Sequence, residues 1–237
     1  MNVNELLREL RRNILRDVSD AIGADEADFL WTDDGLLAYI NDAYFRFCHL
    51  TEYLQDATTT AVTRIPLVQG QTDYPLHPSV IRVMSVEYGN LVLQVNTADH
   101  LLGDRQDSPG YTRVRREDYP GVFAVVPDYE VGMLKVVGKP TAEDAGKDLR
   151  LRVSRYPIER LSFDNGEAEP ELPERFHLDL LEWAAFRALR NHDADAENMG
   201  KASAHSTRFE RAVEEVKNEF KARKFARIGY TDSWGWN

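Results

Sequence analysis

Apolar residues recur at helical spacing towards both ends of the chain and at strand-like spacing in the middle. The longest helical pattern runs from Leu172 to Arg227 and is broken once, at 191–195. Its first half is apolar over a wide arc, which is typical of a helix buried on more than one side. Its second half has one narrow apolar stripe, which consists of Phe209, Val213, Val216 and Phe220. The pattern predicts a hairpin of one inner and one outer helix.

The inner helix is expected to have Pro173 at its first position, because proline lacks the N–H that would be unpaired there. Two adjoining apolar faces follow along this helix, and we expect both to be buried. The first face contains Phe176, Leu180, Trp183, Ala184 and Ala188, and the second contains Leu178, Leu181, Ala185 and Leu189.

The N-terminal segment has an amphipathic helical pattern of its own. Its apolar positions are Val3, Leu6, Leu7, Leu10, Ile14 and Val18. The other side carries four arginines, Arg8, Arg11, Arg12 and Arg16. A solvent-exposed basic face is the simpler interpretation, and a specific anionic partner remains the alternative.

A further helix is predicted to begin after Trp31. If Thr32 is its N-cap, Trp31 and Leu36 occupy the positions of a hydrophobic staple. Asp33 and Asp34 then lie in the first turn, where the helix dipole favours negative charge. The buried stripe of this helix is expected to be Leu36, Ile40, Ala43, Tyr44 and Phe47.

Strand-like patterns fill the region between Asp56 and the second group of helices. Val80–Tyr88 and Leu91–Val95 are predicted strands, and the Gly89-Asn90 pair between them is typical of a two-residue hairpin. Further strands are expected near the end of Thr58–Leu67 and at Tyr111–Arg115, Val122–Val126, Met133–Val137 and Leu149–Tyr156. Short strands separated by turns indicate an antiparallel sandwich or a small barrel.

The predicted fold class is therefore α+β, a helical bundle from both chain ends with an inserted antiparallel β-sandwich or small barrel. Residues 1–57 are assigned to the N-terminal helices of the bundle and 58–165 to the β domain. Residues 166–227 form the C-terminal helical hairpin, and 228–237 form an aromatic tail.

The net charge of −11 argues against a surface that grips nucleic acid. Residues 201–227 nevertheless contain eight Lys and Arg against four Glu, a balance of +4 that leaves −15 for the remainder. This asymmetry predicts a polarised particle. No apolar run approaches the ~20 residues that span a bilayer. The start of the chain lacks the apolar core of a signal peptide, so we expect intracellular synthesis and no membrane partner.

Residues that carry catalytic chemistry are scattered. The chain has no Gly-rich phosphate loop before a helix and no nucleophile elbow. Cys48 alone cannot build a thiolate zinc site, and its apolar surroundings predict a core residue. His192, Asp193 and Asp195 could bind a metal, but turn and capping chemistry explains them more simply, and His77 has no evident partner. We therefore expect no enzyme activity, no metal and no cofactor. Two alternative functions stay open: a β-sandwich hydrolase that uses a carboxylate pair, and a monomeric sandwich module that binds a ligand.

The last thirteen residues contain four aromatic side chains, which helix capping does not require. Trp and Tyr exposed at a chain end are typical anchors of a protein interface. Folding of the tail onto its own helices and stacking on single-stranded nucleic acid are the alternatives. The residues predicted to bind a partner are Arg223, Lys224, Phe225, Arg227, Ile228, Tyr230, Trp234 and Trp236.

Three segments, taken in their order and spacing, resemble the head-to-tail adaptor (connector) proteins of tailed phages. Residues 31–43 open a helix with Trp, acidic residues and Asn-x-Ala, and residues 70–76 form a Gly-to-Tyr-Pro-Leu turn before the strands. Residues 172–177 read Leu-Pro-Glu-Arg-Phe-His before a helix rich in alanine and aromatic residues.

The resemblance implies a homo-oligomeric ring, a dodecamer in this family, placed between the portal protein and a tail-side nozzle or tail protein. It also implies a lumen through which DNA passes during ejection without sequence-specific binding, and no catalysis. The expected location is the head-to-tail junction of the virion, with assembly in the host cytoplasm.

Overall fold

The structure is a computed structural model that describes residues 1–17, 29–96, 120–191 and 196–229. Its fold is α+β, with helices and a curled, mixed sheet. The chain divides into two compact units. The helical unit joins Met1–Tyr53 to Pro157–Asn237, and the sheet unit is Leu54–Tyr156.

The helices lie mostly near the two ends of the chain. Those in the described residues are α1 (Val3–Glu9), α2 (Asp33–Thr51), α3 (Thr60–Thr63), α4 (His177–Asn191) and α5 (Ala196–Gly229). A π-helical turn, Leu10–Leu15, continues α1, and 3₁₀ turns at Phe163–Asn165 and Glu174–Phe176 precede α4. The candidate metal ligands His192, Asp193 and Asp195 lie outside the described residues.

Helix α1 begins with a capping box, in which Asn2 and Glu5 each accept a hydrogen bond from the backbone N–H of the other. The predicted apolar face is confirmed at its first four positions, because Val3, Leu6, Leu7 and Leu10 are buried. Val18 lies outside the described residues.

The prediction that Arg11 belongs to a solvated basic face is wrong, because its side chain is buried. Its guanidinium donates to Oδ2 of Asp17 at 2.6 Å and to Oδ1 of Asp33 at 2.5 Å. It also donates to the carbonyl of Trp31 and lies 4.2 Å from the ring centre of Phe29. These partners follow Arg11 in sequence by 6 to 22 residues, so helical periodicity did not indicate them.

Helix α2 begins as predicted, with the hydroxyl of Thr32 accepting a hydrogen bond from the N–H of Gly35. The predicted stripe is confirmed, since Leu36, Ile40, Ala43, Tyr44 and Phe47 are all buried. Cys48, the expected core residue, is also fully buried.

Helix α4 is buried on two faces, as its wide apolar arc predicts, with Leu180 and Leu181 both fully buried. Leu178 is the exception, and its predicted burial is wrong, because it is 52% exposed at the border of the arc in the first turn. The predicted helical position of Pro173 is also wrong. Its backbone is extended, with ψ of 144°, and residues 174–176 form a 3₁₀ turn before α4 begins at His177.

Helix α5 packs through its predicted stripe. Phe209, Val213 and Val216 are buried, and Phe220 is half-buried at the end of the stripe. The charged residues between these positions face outwards, which is the pattern expected of an outer helix.

The sheet unit contains eight short strands within the described residues. They are β1 (Gln55–Asp56), β2 (Arg64–Pro66), β3 (Asp73–Pro75), β4 (Val80–Tyr88), β5 (Leu91–Val95), β6 (Ala124–Pro127), β7 (Met133–Val137) and β8 (Asp148–Arg155). The strand order is β1-β8-β4-β5-β6-β7-β3, with β2 also paired to β8. The β4–β5 hairpin is confirmed, and Gly89 in its turn has the positive φ of 58° that such turns require.

The expectation of a wholly antiparallel sheet is wrong, because β5 and β6 are parallel. A parallel pair needs a long connection rather than a hairpin, and 28 residues separate Val95 from Ala124. Within Thr58–Leu67, residues Thr60–Thr63 form α3, and the strand expected near the end of this segment is β2 (Arg64–Pro66). The predicted strand Tyr111–Arg115 lies outside the described residues.

Asp56 and Arg155 join the first and last strands of the sheet unit. The Nε atom of Arg155 donates to Oδ2 of Asp56 at 2.8 Å, and both side chains are nearly buried. Burial opposes ionisation of Asp56, but hydrogen bonds from Thr59, Thr58 and Arg155 outweigh it and hold its pKa well below the usual value. The ion pair therefore ties the start of the sheet unit, Leu54–Tyr156, to its end.

Candidate partner-binding surface

Aromatic side chains hold the long helix α5 against α2 and α4. The ring centre of Phe209 lies 5.2 Å from that of Trp183 and 6.2 Å from that of Phe47. Further along α5, Phe220 lies 5.6 Å from Tyr53, the last residue of the N-terminal part of the helical unit. Such clusters contribute large apolar areas to a core, so α5 is firmly packed as far as Phe220.

After Phe220, the backbone of α5 continues to Gly229. Lys221, Ala222 and Arg223 are all exposed. Arg223, one of the predicted partner-binding residues, lies 3.6 Å from a carboxylate oxygen of Glu219 and 5.9 Å from the ring centre of Phe220. Glu219 also accepts a hydrogen bond from Arg175 at 3.1 Å. Exposed pairs of this kind contribute little stability, so Arg223 remains available to a partner.

The other predicted partner-binding residues fall into two groups. Lys224, Phe225, Arg227 and Ile228 lie on the backbone of α5, and their side chains are outside the described set. Tyr230, Trp234 and Trp236 lie beyond the described residues altogether. Their role as an interface stays a prediction. The backbone of α5 includes Ile228 and Gly229.

A group of carboxylates lies where α4 meets α5. Glu182 accepts hydrogen bonds from His205 at 2.6 Å and Arg208 at 3.4 Å. Burial opposes its ionisation, but these two partners outweigh burial and lower its pKa. Asp179, one helical turn earlier, has no hydrogen-bond or ion-pair partner among the described residues. Burial, together with the charges of Glu182 and Glu215, raises the pKa of Asp179 to about 6.

Sequence reasoning missed Asp179. The sequence did offer one signal for it. Asp179 lies one turn from Glu182 on a helix that is otherwise largely apolar. The sequence could not show that Asp179 lacks a cationic partner among the described residues, because this depends on which charged side chains of α5 lie near it.

Two observations concern the residues that the sequence offered as candidate metal ligands or unpartnered histidines. No group of three or more His, Cys, Asp or Glu residues in that part is placed to hold a metal ion. His77, which lacked an evident partner, lies 2.8 Å from the hydroxyl of Ser79 through Nδ1. This contact has a structural explanation, since it closes the turn before β4. Among the described helices, none is long and apolar enough to cross a membrane.

Family comparison decides the class of protein to which this fold belongs. A model of the SU10 adaptor protein family matches residues 1–229, which include both units. The chain belongs to the SU10 adaptor protein family. This family of phage adaptors is structural in role, and the resemblance noted in the three sequence segments is confirmed at that level. No curated protein matches the sequence.

The matched range of this adaptor ends where α5 ends, at Gly229. Tyr230, Trp234 and Trp236 therefore lie outside the matched range.

Proposed function

We propose that this adaptor forms a homo-oligomeric ring, a dodecamer, between the portal and the tail of a tailed phage. The observation that carries the proposal is the family match across both units. A ring of this kind is a structural element at the head-to-tail junction, and the chain carries out no catalysis. The ring joins the portal on one side to a tail-side protein on the other and assembles in the host cytoplasm.

DNA passes through the lumen of the ring during ejection without sequence-specific contacts. The net charge of −11 supports this role, because an acidic wall repels phosphates and keeps DNA from adhering. The local excess of positive charge at 201–227 would then face protein rather than DNA.

The end of α5 and the residues after it form the docking element in this proposal. The helix is packed at Phe220, and Lys221–Arg223, which follow it, are exposed. The aromatic residues that follow are of the types that dominate interfaces. A segment that becomes ordered on binding loses conformational entropy, so apolar anchors such as Trp234 and Trp236 must offset that loss.

The test is binding of the full chain to the portal protein of the same phage, compared with a Trp234→Ala/Trp236→Ala variant. The proposal predicts a specific complex for the full chain and an affinity at least about tenfold lower for the variant, since interface tryptophans are frequent hot spots. The matched control is Tyr129→Ala/Phe163→Ala, which removes two exposed aromatics elsewhere and should bind normally. Equal binding by all three proteins would exclude the tail as the docking element, and no binding by the full chain would exclude the adaptor role.

A further inference from the structure

Two exposed arginines lie over a pair of aromatic rings where α2 meets α4. The guanidinium carbon of Arg46 is 4.2 Å from the ring centre of Trp183, and that of Arg190 is 5.8 Å from the ring centre of Phe186. The two rings are themselves 4.8 Å apart, so these four side chains form one continuous surface. Neither arginine has an acidic partner among the residues that the structure describes.

A third arginine on this surface, Arg187, shows how it binds a carboxylate. The Nη1 atom of Arg187 donates to Oδ2 of Asp42 at 2.8 Å, and the indole N–H of Trp183 donates to the same oxygen at 2.7 Å. A guanidinium that stacks on a ring keeps N–H groups at its edges with which to bind a carboxylate. The arginine surface, which contains Arg46, Arg187 and Arg190, therefore has the chemistry to bind carboxylates from another molecule.

Four exposed glutamates form an acidic row before α4. They are Glu167, Glu169, Glu171 and Glu174. Residues 167–174 contain no Lys or Arg. Pro170 and Leu172 are buried between the glutamates, so the carboxylates point away from the core. The amino group of Met1 lies 3.6 Å from Glu169 and 3.7 Å from Glu174, and it offsets only part of the charge of the acidic row.

The arginine surface and the acidic row lie on opposite sides of α2. The arginine surface includes or contacts Tyr39, Asp42 and Arg46 of α2. Asn41 and Tyr44 form hydrogen bonds with the backbone of the segment that leads into and includes the acidic row. With 3.6 residues per turn, these two sets of α2 residues are centred about 160° apart around the helix axis. The two charged surfaces of one copy therefore face away from each other across α2.

We propose that the arginine surface of one copy of this chain binds the acidic row of the next copy. The inference rests on the proposed ring and identifies the side chains that join its neighbours. Complementary surfaces on opposite sides of α2 suit a head-to-tail contact, which closes into a ring when the rotation between neighbours allows it. A second copy fits better than nucleic acid, because the chain presents the complementary carboxylates itself and its net charge of −11 repels a polyanion.

Charge reversal on the full-length protein tests this contact. Arg46→Glu/Arg190→Glu makes the arginine surface acidic, and Glu167→Lys/Glu169→Lys makes the acidic row basic. Each variant alone should assemble on the portal about tenfold or more weakly than the unmodified chain, because like charges then face each other between neighbours. Mass photometry of the portal with increasing adaptor concentration measures the number of bound copies, and thermal melting verifies that each variant is folded.

An equal mixture of the two variants provides the sharpest measurement. In a ring in which the variants alternate, every contact again pairs opposite charges, so the mixture should recover most of the assembly. Such recovery requires a contact between copies, since two variants that are each defective in binding the portal would not rescue each other. If either variant failed to fold, the neutral pairs Arg46→Gln/Arg190→Gln and Glu167→Gln/Glu169→Gln would replace them, and each should still weaken assembly.

The matched controls make the same changes in net charge on exposed residues of the sheet unit. They are Lys139→Glu/Arg150→Glu for the arginine surface and Glu87→Lys/Glu130→Lys for the acidic row. Both controls should assemble like the unmodified chain. Normal assembly of the folded charge-reversal variants, an equal loss in the controls, or no recovery in the mixture would overturn the contact and leave the adaptor role intact.

Two further outcomes separate this inference from its alternatives. If Arg46→Glu/Arg190→Glu reduced binding to a duplex DNA probe but left assembly unchanged, the arginine surface would face nucleic acid and the contact would be wrong. If the unmodified chain failed to assemble on the portal at all, the proposed function itself would fall, and this contact with it.

Discussion

The indole nitrogen of Trp183 donates a hydrogen bond to Oδ2 of Asp42 at 2.7 Å, which links α4 to α2. The same side chain is only 8% exposed and contacts the ring of Phe209 on α5. Trp183 therefore connects three helices, and its removal should affect the whole helical unit.

Trp183→Ala is expected to lower the free energy of unfolding by about 3–5 kcal/mol, because it leaves a large cavity among the helices. Trp183→Phe retains most of the packing and loses the hydrogen bond, so its cost should be about 1–2 kcal/mol. Urea unfolding followed by circular dichroism measures both values. Phe163→Ala is the control, since this exposed side chain should change stability by at most about 0.5 kcal/mol. A loss below about 1 kcal/mol for Trp183→Ala would show that the helical core is wrongly described.

Arg11 should matter for stability in a way that its neighbour Arg12 does not. Arg11→Ala leaves the nearly buried carboxylate of Asp17 without its ion pair, and breaking a buried pair typically costs about 3–5 kcal/mol. Arg12→Ala removes an exposed side chain and should change the stability of the isolated subunit by at most about 0.5 kcal/mol. Chemical denaturation of the two variants, side by side, tests the difference. Similar effects of the two substitutions would contradict the buried network.

Periodicity explains why some of these features were predictable and others were not. The stripe from Leu36 to Phe47 follows from local spacing, because one helical face must meet the core. The burial of Arg11 depends on Asp17 and Asp33, which come close only after the chain turns back. A sequence pattern predicts which face of a helix is buried. It does not show which charged residues, distant in sequence, will form an ion pair.

Local sequence patterns were also insufficient to predict the topology of the sheet. Hairpin β4–β5 was predictable because Gly89-Asn90 specifies a tight turn between two adjacent strands. The parallel pairing of β5 with β6 depends on a long connection, whose route no local rule determines. For the partner-binding surface, the sequence indicated residue types, and the structure shows that α5 is packed at Phe220 and exposed at Lys221–Arg223.

Asp179 should make the helical unit less stable at neutral pH than at mildly acidic pH. Its folded pKa of about 6 exceeds the ordinary value of 3.8, so the folded state binds its proton more tightly than the unfolded state. This group therefore lowers stability progressively as pH rises from about 4 to 7, by on the order of 2 kcal/mol. Asp179→Asn cannot ionise and should be more stable than the original chain at pH 7.

The difference in unfolding free energy between Asp179→Asn and the original chain should shrink as pH falls from 7 to 4. Comparing the two proteins at each pH removes the pH-dependent contributions that they share. Denaturant unfolding across this range provides the measurement. A difference that stays constant with pH would contradict the raised pKa of Asp179.

The tail should be dispensable for folding. Deleting residues 230–237 leaves every described helix and strand in place, so the melting temperature of the isolated subunit should change by no more than about 2 °C. Differential scanning calorimetry of the two chains tests this expectation. Loss of cooperative unfolding in the shortened chain would mean that the aromatic residues pack into the adaptor's own core.

The central claim is that this chain is a ring-forming adaptor on a phage portal. Size-exclusion chromatography with light scattering, applied to the chain, the portal and their mixture, tests it most directly. The account predicts a mixed complex whose mass equals that of the portal plus a closed, dodecameric ring of adaptor. An adaptor that elutes separately from the portal at every concentration, or that binds without a fixed stoichiometry, would contradict the account.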